Sequence, residues 1–188
     1  MPARWGEAGL ADYRGLATFT RRFGYPGKID ETEHVWLTCD GCTGCHGVSL
    51  NGQALAVVPD STFAFDVTKL LRSRNRLEIA IEGTTADAGL WGEVALEIRK
   101  DAFLADVRIE QTKPKLQIAG KVVGSSPQPL ELYTLVDGRH VDYRTVLPSN
   151  DGTPFRIELS DVQDPAQLVR VELIHISTIW YIVEVPIR

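Results

Sequence analysis

The densest run of chemically capable side chains is C-D-G-C-T-G-C-H, which places Cys39, Cys42, Cys45 and His46 within one short segment. Three thiolates and an imidazole at this spacing are enough donors for a tetrahedral zinc ion, and C-T-G-C-H also fits the attachment signature of a c-type haem. The same residues admit a packing reading, because a free cysteine behaves as a small buried hydrophobe. Successive residues of a strand alternate faces, so Cys39 and Cys42 point together only if the chain turns between them at Gly41. An odd number of cysteines crowded together is unlike an extracellular disulfide framework, so reduced thiols are expected. Packing is the reading adopted, with no cofactor or metal assigned and the Cys/His site kept as the alternative. Other catalytic templates are missing. G-V-S-L-N-G around Ser49 is not a G-x-S-x-G elbow and leads into a hairpin turn instead of a helix. His34, His140 and His175 are scattered, no glycine loop is built to cradle phosphate, and Asp30-Glu31-Thr32-Glu33 reads as a solvated loop before a strand.

The elements that must position these groups are strands. V-W-L-T, V-S-L, L-E-I-A-I-E and V-A-L-E-I-R are short aliphatic or alternating runs bounded by Gly, Asp, Asn and Pro, the pattern of a half-buried sheet. Asn51-Gly52 tolerates the positive φ angles of a tight hairpin turn. Only 66–73 invites a helical reading, with Asp66 or Thr68 as N-cap, and it is too short for more than one or two turns. After Lys100-Asp101 seven more strands follow at roughly 8 to 12 residue spacing, the texture of an immunoglobulin-like sandwich without its Cys and Trp hallmarks. The expectation is an all-β chain of two sandwiches in tandem, 1–101 and 102–188, joined without a Pro/Gly-rich linker.

A net charge of −5 with 44% hydrophobic and 24% charged residues marks a soluble globular protein and excludes disorder and collagen. Mild acidity argues against nucleic acid or an anionic membrane as the main partner, since neutralising phosphates takes clustered Lys and Arg. Arg72, Arg74 and Arg76 form the one tight basic cluster noted in the sequence. No window approaches the ~18 apolar residues of a membrane span, and the first residues lack the basic head and apolar stretch of a secretory signal. The chain as written reads as cytoplasmic, although a signal already removed would leave the same appearance.

Five segments, taken in order, carry a family resemblance: 12–23 (D-Y-R-G-L-A-T-F-T-R-R-F), 35–52, 63–71 (F-A-F-D-V-T-K-L-L), 75–81 and 89–97 (G-L-W-G-E-V-A-L-E). Together they resemble the N-terminal sugar-binding domain of glycoside hydrolase family 2, the β-galactosidase and β-glucuronidase group. The second half resembles the immunoglobulin-like domain that follows it there. The resemblance implies a galactose-binding-like jelly roll ahead of the second sandwich. In that family the two catalytic glutamates sit on a (β/α)₈ barrel that follows these domains, and these 188 residues include no such barrel. A non-catalytic, carbohydrate-binding chain is therefore expected, with a protein partner or a homo-oligomer as the alternative role. Sugar recognition needs an aromatic platform flanked by groups that hydrogen-bond to hydroxyls. Tyr13 and Arg14, with Asp87 and Trp91 in the D-A-G-L-W-G-E loop, are the candidates that the family topology brings together. The plain alternative for Trp91 is a plug for the end of the sandwich, and Trp36 and Trp180 read as core. Thr18-Phe19-Thr20 departs from the aromatic-Tyr-Arg usual in relatives.

Overall fold

The computed structural model describes residues 3–56, 60–112, 115–160 and 167–187. It is all-β apart from one turn of 3-10 helix, Thr68–Leu70, among the described residues. The chain divides into two compact units, 1–98 and 99–188.

The first unit contains β1 (Ala3–Arg4), β2 (Gly15–Gly24), β3 (Glu33–Thr43), β4 (Cys45–Leu50), β5 (Gln53–Ala56), β6 (Asp60–Asp66), β7 (Arg74–Gly83), β8 (Gly89–Leu90) and β9 (Val94–Lys100). One sheet runs β1-β8-β3-β6 with β9 also paired to β3, and the other runs β2-β7-β4-β5. Alternation builds the core: Val35, Leu37 and Cys39 of β3 turn inward, as do Leu77, Ile79 and Ile81 of β7. Each large aliphatic side chain so buried contributes roughly 1.5–3 kcal/mol. Trp36 falls on the opposite parity and is half-buried on the outer face, so the core placement expected for it is corrected by the strand's period of two.

The chain changes sheet between β3 and β4. Gly44 makes that corner at φ 77, where a side chain would also strike the carbonyl of Glu82. The following hairpin turns on Asn51 (φ 54) and Gly52 (φ 82), positive at both central positions as a type I′ turn requires. The helical stretch shrinks to a single turn, and Asp66 Oδ1 accepts the Thr68 amide (3.0 Å) and hydroxyl (2.6 Å) just ahead of it.

Among the described residues of this unit one polar side chain is deeply buried. Asn75, 3% exposed, accepts at Oδ1 from the Arg72 amide (2.8 Å) and Asn51 Nδ2 (3.0 Å). Its own Nδ2 donates to the carbonyls of Arg72 (2.8 Å) and Gly24 (3.4 Å). Asn51 Nδ2 reaches Leu70 O as well, and its Oδ1 accepts the Arg76 amide.

The second unit contains β10 (Ala102–Thr112), β11 (Lys115–Gly124), β12 (Leu130–Val136), β13 (Arg139–Val146), β14 (Thr153–Leu159), β15 (Leu168–His175) and β16 (Thr178–Pro186). They form the sheets β10-β11-β14 and β13-β12-β15-β16 around Leu116, Ile118, Leu130, Leu132, Ile157, Val171 and Leu173. Trp180 is half-buried, packed against this core and against His175 at 4.8 Å, so it edges the core instead of lying within it. The β15–β16 hairpin turns on Ile176 (φ 45) and Ser177 (φ 65), and Ile176 is 72% exposed.

Asn75→Ala leaves the Arg72 amide, Asn51 and two carbonyls without their buried partner, which costs about 1–3 kcal/mol for each unsatisfied group that water cannot reach. Urea unfolding followed by tryptophan fluorescence is expected to show a loss of at least about 2 kcal/mol.

Candidate functional site

The first residues and the loop before β9 meet at one end of the first unit. Ala3 and Arg4 pair with Leu90 and Gly89, and the ladder continues through Trp5 N to Ala88 O and Gly6 N to Ala86 O, both 2.8 Å. Trp5 is 2% exposed, and its ring fills the space where a side chain on Gly83 would stand. Tyr13 meets Trp5 edge to face at 4.9 Å and 78°, and donates its hydroxyl to Leu16 O at 3.1 Å.

Trp91 belongs to a second stack. Its amide and that of Gly92 both donate to Gly41 O, at 3.1 and 2.7 Å. A Cβ on Gly41 would lie 2.2 to 2.5 Å from three adjacent carbons of the indole, so the glycine backbone packs on the ring's face. The Arg4 guanidinium lies over the same ring, 4.5 Å from its centroid, a cation–π contact. Trp91 Nε1 donates to Thr43 Oγ1 at 3.1 Å, and Trp91 remains 37% exposed. Arg4 also donates from Nη1 to Asp87 O at 3.3 Å, leaving the Asp87 side chain exposed to solvent.

Asp87 and Trp91 are therefore drawn together, through Arg4. Tyr13 stands in the neighbouring stack, connected by the Arg4-Trp5 dipeptide. Arg14 turns back on its own loop, donating from Nη1 to the carbonyls of Ala11 and Tyr13, both at 2.9 Å. Sequence reasoning missed Arg4 and Thr43. No motif marks either one, and only the polar–aromatic alternation of Arg4-Trp5 hints that the first strand presents one residue to each side.

The cysteine segment resolves differently. The β3–β6 ladder shifts register between Cys39 and Cys42, and this irregularity at Asp40-Gly41 turns both thiols inward. Cys39, Cys42 and Cys45 are 1%, 1% and 3% exposed, all free, and Cys42 is in hydrogen-bonding contact with the other two. Burial pushes the Cys39 and Cys45 thiols up to about 11. His46 faces the other way, exposed, with Nδ1 4.0 Å from Glu82 Oε2. The four proposed ligands do not converge, and no group of three His, Cys, Asp or Glu among the described residues is arranged to hold a metal ion. The thiols line the corner where the chain passes from one sheet to the other.

No family model and no curated protein matches the chain. Solved structures do. A putative β-galactosidase from Bacteroides fragilis superposes at TM-score 0.76 and 17% identity, over 93% of this chain and 32% of its own. A β-glucuronidase from Bifidobacterium dentium gives 0.67 and 21%, over 92% and 38%. A glycosyl hydrolase family 2 member from Bacteroides cellulosilyticus gives 0.70 and 14%, over 92% and 28%. The fold is that of part of a family 2 glycoside hydrolase. Both sandwiches are included in the match, and the chain spans less than two-fifths of the length of each of these enzymes. The expected resemblance and the all-β tandem of sandwiches are thus what the glycosidase fold displays here.

Gly41→Val forces a side chain into the space of the Trp91 ring. It is expected to expel the indole, red-shift tryptophan emission and cost about 1–3 kcal/mol, whereas Gly47→Val, where no atom lies within 4 Å of the added Cβ, leaves emission unchanged.

The raised thiols set a second expectation. The unfolded chain releases these protons near the ordinary value of 9.0 and the folded chain only near 11. Stability from this source is complete below pH 9 and is lost as pH rises toward 11. Urea midpoints across that window should fall more steeply for the native chain than for the Cys39→Ala/Cys45→Ala double variant.

Proposed function

We propose that the chain is a non-catalytic module related to the accessory sandwiches of family 2 glycosidases, and that it binds carbohydrate at the end of its first unit. One observation carries the reading: Arg4 couples a half-open Trp91 to the Asp87 loop, placing an aromatic edge, a guanidinium, the Thr43 hydroxyl and an exposed carboxylate within one small patch. Such a patch supplies apolar contact together with charged and neutral hydrogen-bonding groups, the combination that pyranose rings require. The Gly41 backbone and Arg4 already pack on Trp91, so a sugar would meet its exposed edge and the groups around it instead of a bare indole face. The enzymes of like fold include a β-glucuronidase complexed with coumarin-3-O-glucuronide, and the Arg4 guanidinium is the charge that would favour an acidic sugar.

A second reading, an assembly module, is favoured by β16, an edge strand that leaves Ile179 and Ile182 45% and 39% exposed. Sedimentation velocity separates the two: a homo-oligomer dispersed by Ile182→Lys supports assembly, and a monomer with no glycan-dependent change opposes it.

The test of the carbohydrate reading is a glycan array followed by titration calorimetry with the strongest ligand. Native protein is expected to bind a uronic acid or neutral glycoside, with Trp91→Ala and Arg4→Ala each weakening it at least about tenfold, or ~1.4 kcal/mol. Asp87→Asn is expected to act less, and Tyr13→Ala to act through the Trp5 stack by lowering stability. An array silent for native protein sinks the carbohydrate reading.

A further inference from the structure

The first unit is not closed on all sides. Among the described residues β2 pairs with β7 alone and β9 with β3 alone, so each sheet ends in a free edge, and both edges line the same opening. Between these edges lies a cleft of about 660 Å³. Its floor is the core itself, Leu37, Leu77, Ile79 and Leu90, and its walls include Phe19, Arg21 and Phe23 of β2, Val94 and Leu96 of β9, and Glu93 just ahead of β9. Phe19 faces the opposite sheet, yet it is 37% exposed because nothing described fills the space before it.

The charge along this edge selects what could fill it. β2 reads G-L-A-T-F-T-R-R-F-G, with two arginines and no acid. Phe19, Arg21 and Phe23 share the parity that lines the cleft. Arg21 thus stands between two aromatic residues on the inward face, exposed and without an ion pair among the described residues. On the outward face Arg22 lies directly across from Arg76 in the β2–β7 ladder, and Gly24 across from Arg74. Arg76 is ion-paired with Glu78 at 2.7 Å, which leaves Arg22 as the guanidinium of this pair without an ion pair among the described residues. The chain as a whole carries −5, whereas here Arg21 and Arg22 of β2 outnumber the one carboxylate of the cleft, Glu93 on the opposite wall.

We propose that the free edge of β2 and the cleft behind it accept an acidic, extended polypeptide strand, supplied by a protein partner. Main-chain groups of the guest would continue the β2 ladder, as in other cases of strand addition. Side-chain parity then sets the guest's sequence. Alternate inward residues would be apolar opposite Phe19, carboxylate opposite Arg21 and apolar opposite Phe23, with a further acid on the outward face near Arg22 and Arg76. An uncharged strand would bury Arg21 unpaired, so the same residue that admits an acidic guest discriminates against a neutral one. This inference is independent of the carbohydrate patch, which uses other residues.

The experiment uses the full chain and fluorescein-labelled peptides as long as β2, 10 residues. One places Leu-Asp-Leu at alternate positions between threonines. A second carries Lys for Asp. A third has proline at the threonine positions, which removes those amide donors and fixes their φ at about −65°, away from the antiparallel strand value. Fluorescence anisotropy is expected to show saturable binding of the Asp peptide, about tenfold weaker binding of the Lys peptide, and none of the proline peptide. Arg21→Glu should invert the Asp/Lys preference, and its unfolding midpoint, compared with that of the native chain, checks that this exposed substitution leaves the fold intact. Should Arg21→Glu fail to fold, Arg21→Gln abolishing the preference serves the same purpose. Absence of binding to the Asp peptide overturns the proposal. So does equal binding of all three peptides, which would indicate mere adsorption to an apolar surface, and so does an Asp/Lys preference that neither Arg21 variant changes.

Discussion

The amide of Asn75 is the joint on which the first sandwich hangs. A buried carboxamide can donate twice and accept more than once, and each bond it fails to make inside a protein is costly. Here its bonds run to three separate places: the turn at Arg72, the Asn51-Gly52 hairpin and the last residue of β2. Among the described residues β2 has a single neighbouring strand, β7, and the contact with Gly24 ties its end to the loop after the 3-10 turn. Hydrophobic burial supplies most of the free energy of this unit, but it is non-directional. The amide network is what fixes where the hairpin, the turn and the edge strand stop relative to one another.

The sheet corner shows a second kind of constraint. A sandwich chain must pass from one sheet to the other without exposing its core. β3 does so through an irregular ladder at Asp40-Gly41 and a left-handed glycine at position 44. Small side chains are needed where the sheets converge, and three thiols fill that volume while keeping their protons. The same irregularity presents the Gly41 carbonyl to the amides of Trp91 and Gly92, so one kink in one strand shapes both the packing of the cysteines and the seat of the tryptophan.

Much of this was readable from the residues. Strand positions followed from alternation and the tight hairpin from Asn51-Gly52, whereas regular alternation sets Cys39 and Cys42 on opposite faces and only the irregularity at Asp40-Gly41 turns both inward. The family pattern grouped Tyr13 and Arg14 with Asp87 and Trp91; Arg4 contacts the Trp91 ring and the Asp87 carbonyl, while Tyr13 stacks on Trp5 instead. What escaped was whatever depends on partners distant in sequence. Arg4 carries no motif, and its place over Trp91 exists only after β1 has paired with β8. Trp36 looked like core by residue type but was turned outward by its parity. Arg14 hydrogen-bonds within its own loop, a local choice that no spacing rule foretells. The open flank was invisible as well, because a run such as L-A-T-F-T-R-R-F reads the same whether its strand has one neighbour or two.

The turn between β15 and β16 bears on how the second unit comes together. Tight hairpins ordinarily place Gly, Asn or Asp where φ is positive, and a β-branched residue there works against the turn. With Ile176 and Ser177 in those positions, the turn cannot nucleate the hairpin by local preference. The hairpin is held instead by its ladder, which runs from Leu168 opposite Pro186 to His175 opposite Thr178. At this tip the register of the sheet overrides the local preference of the residues that bend it, and the exposed Ile176 packs on nothing that would offset the conflict.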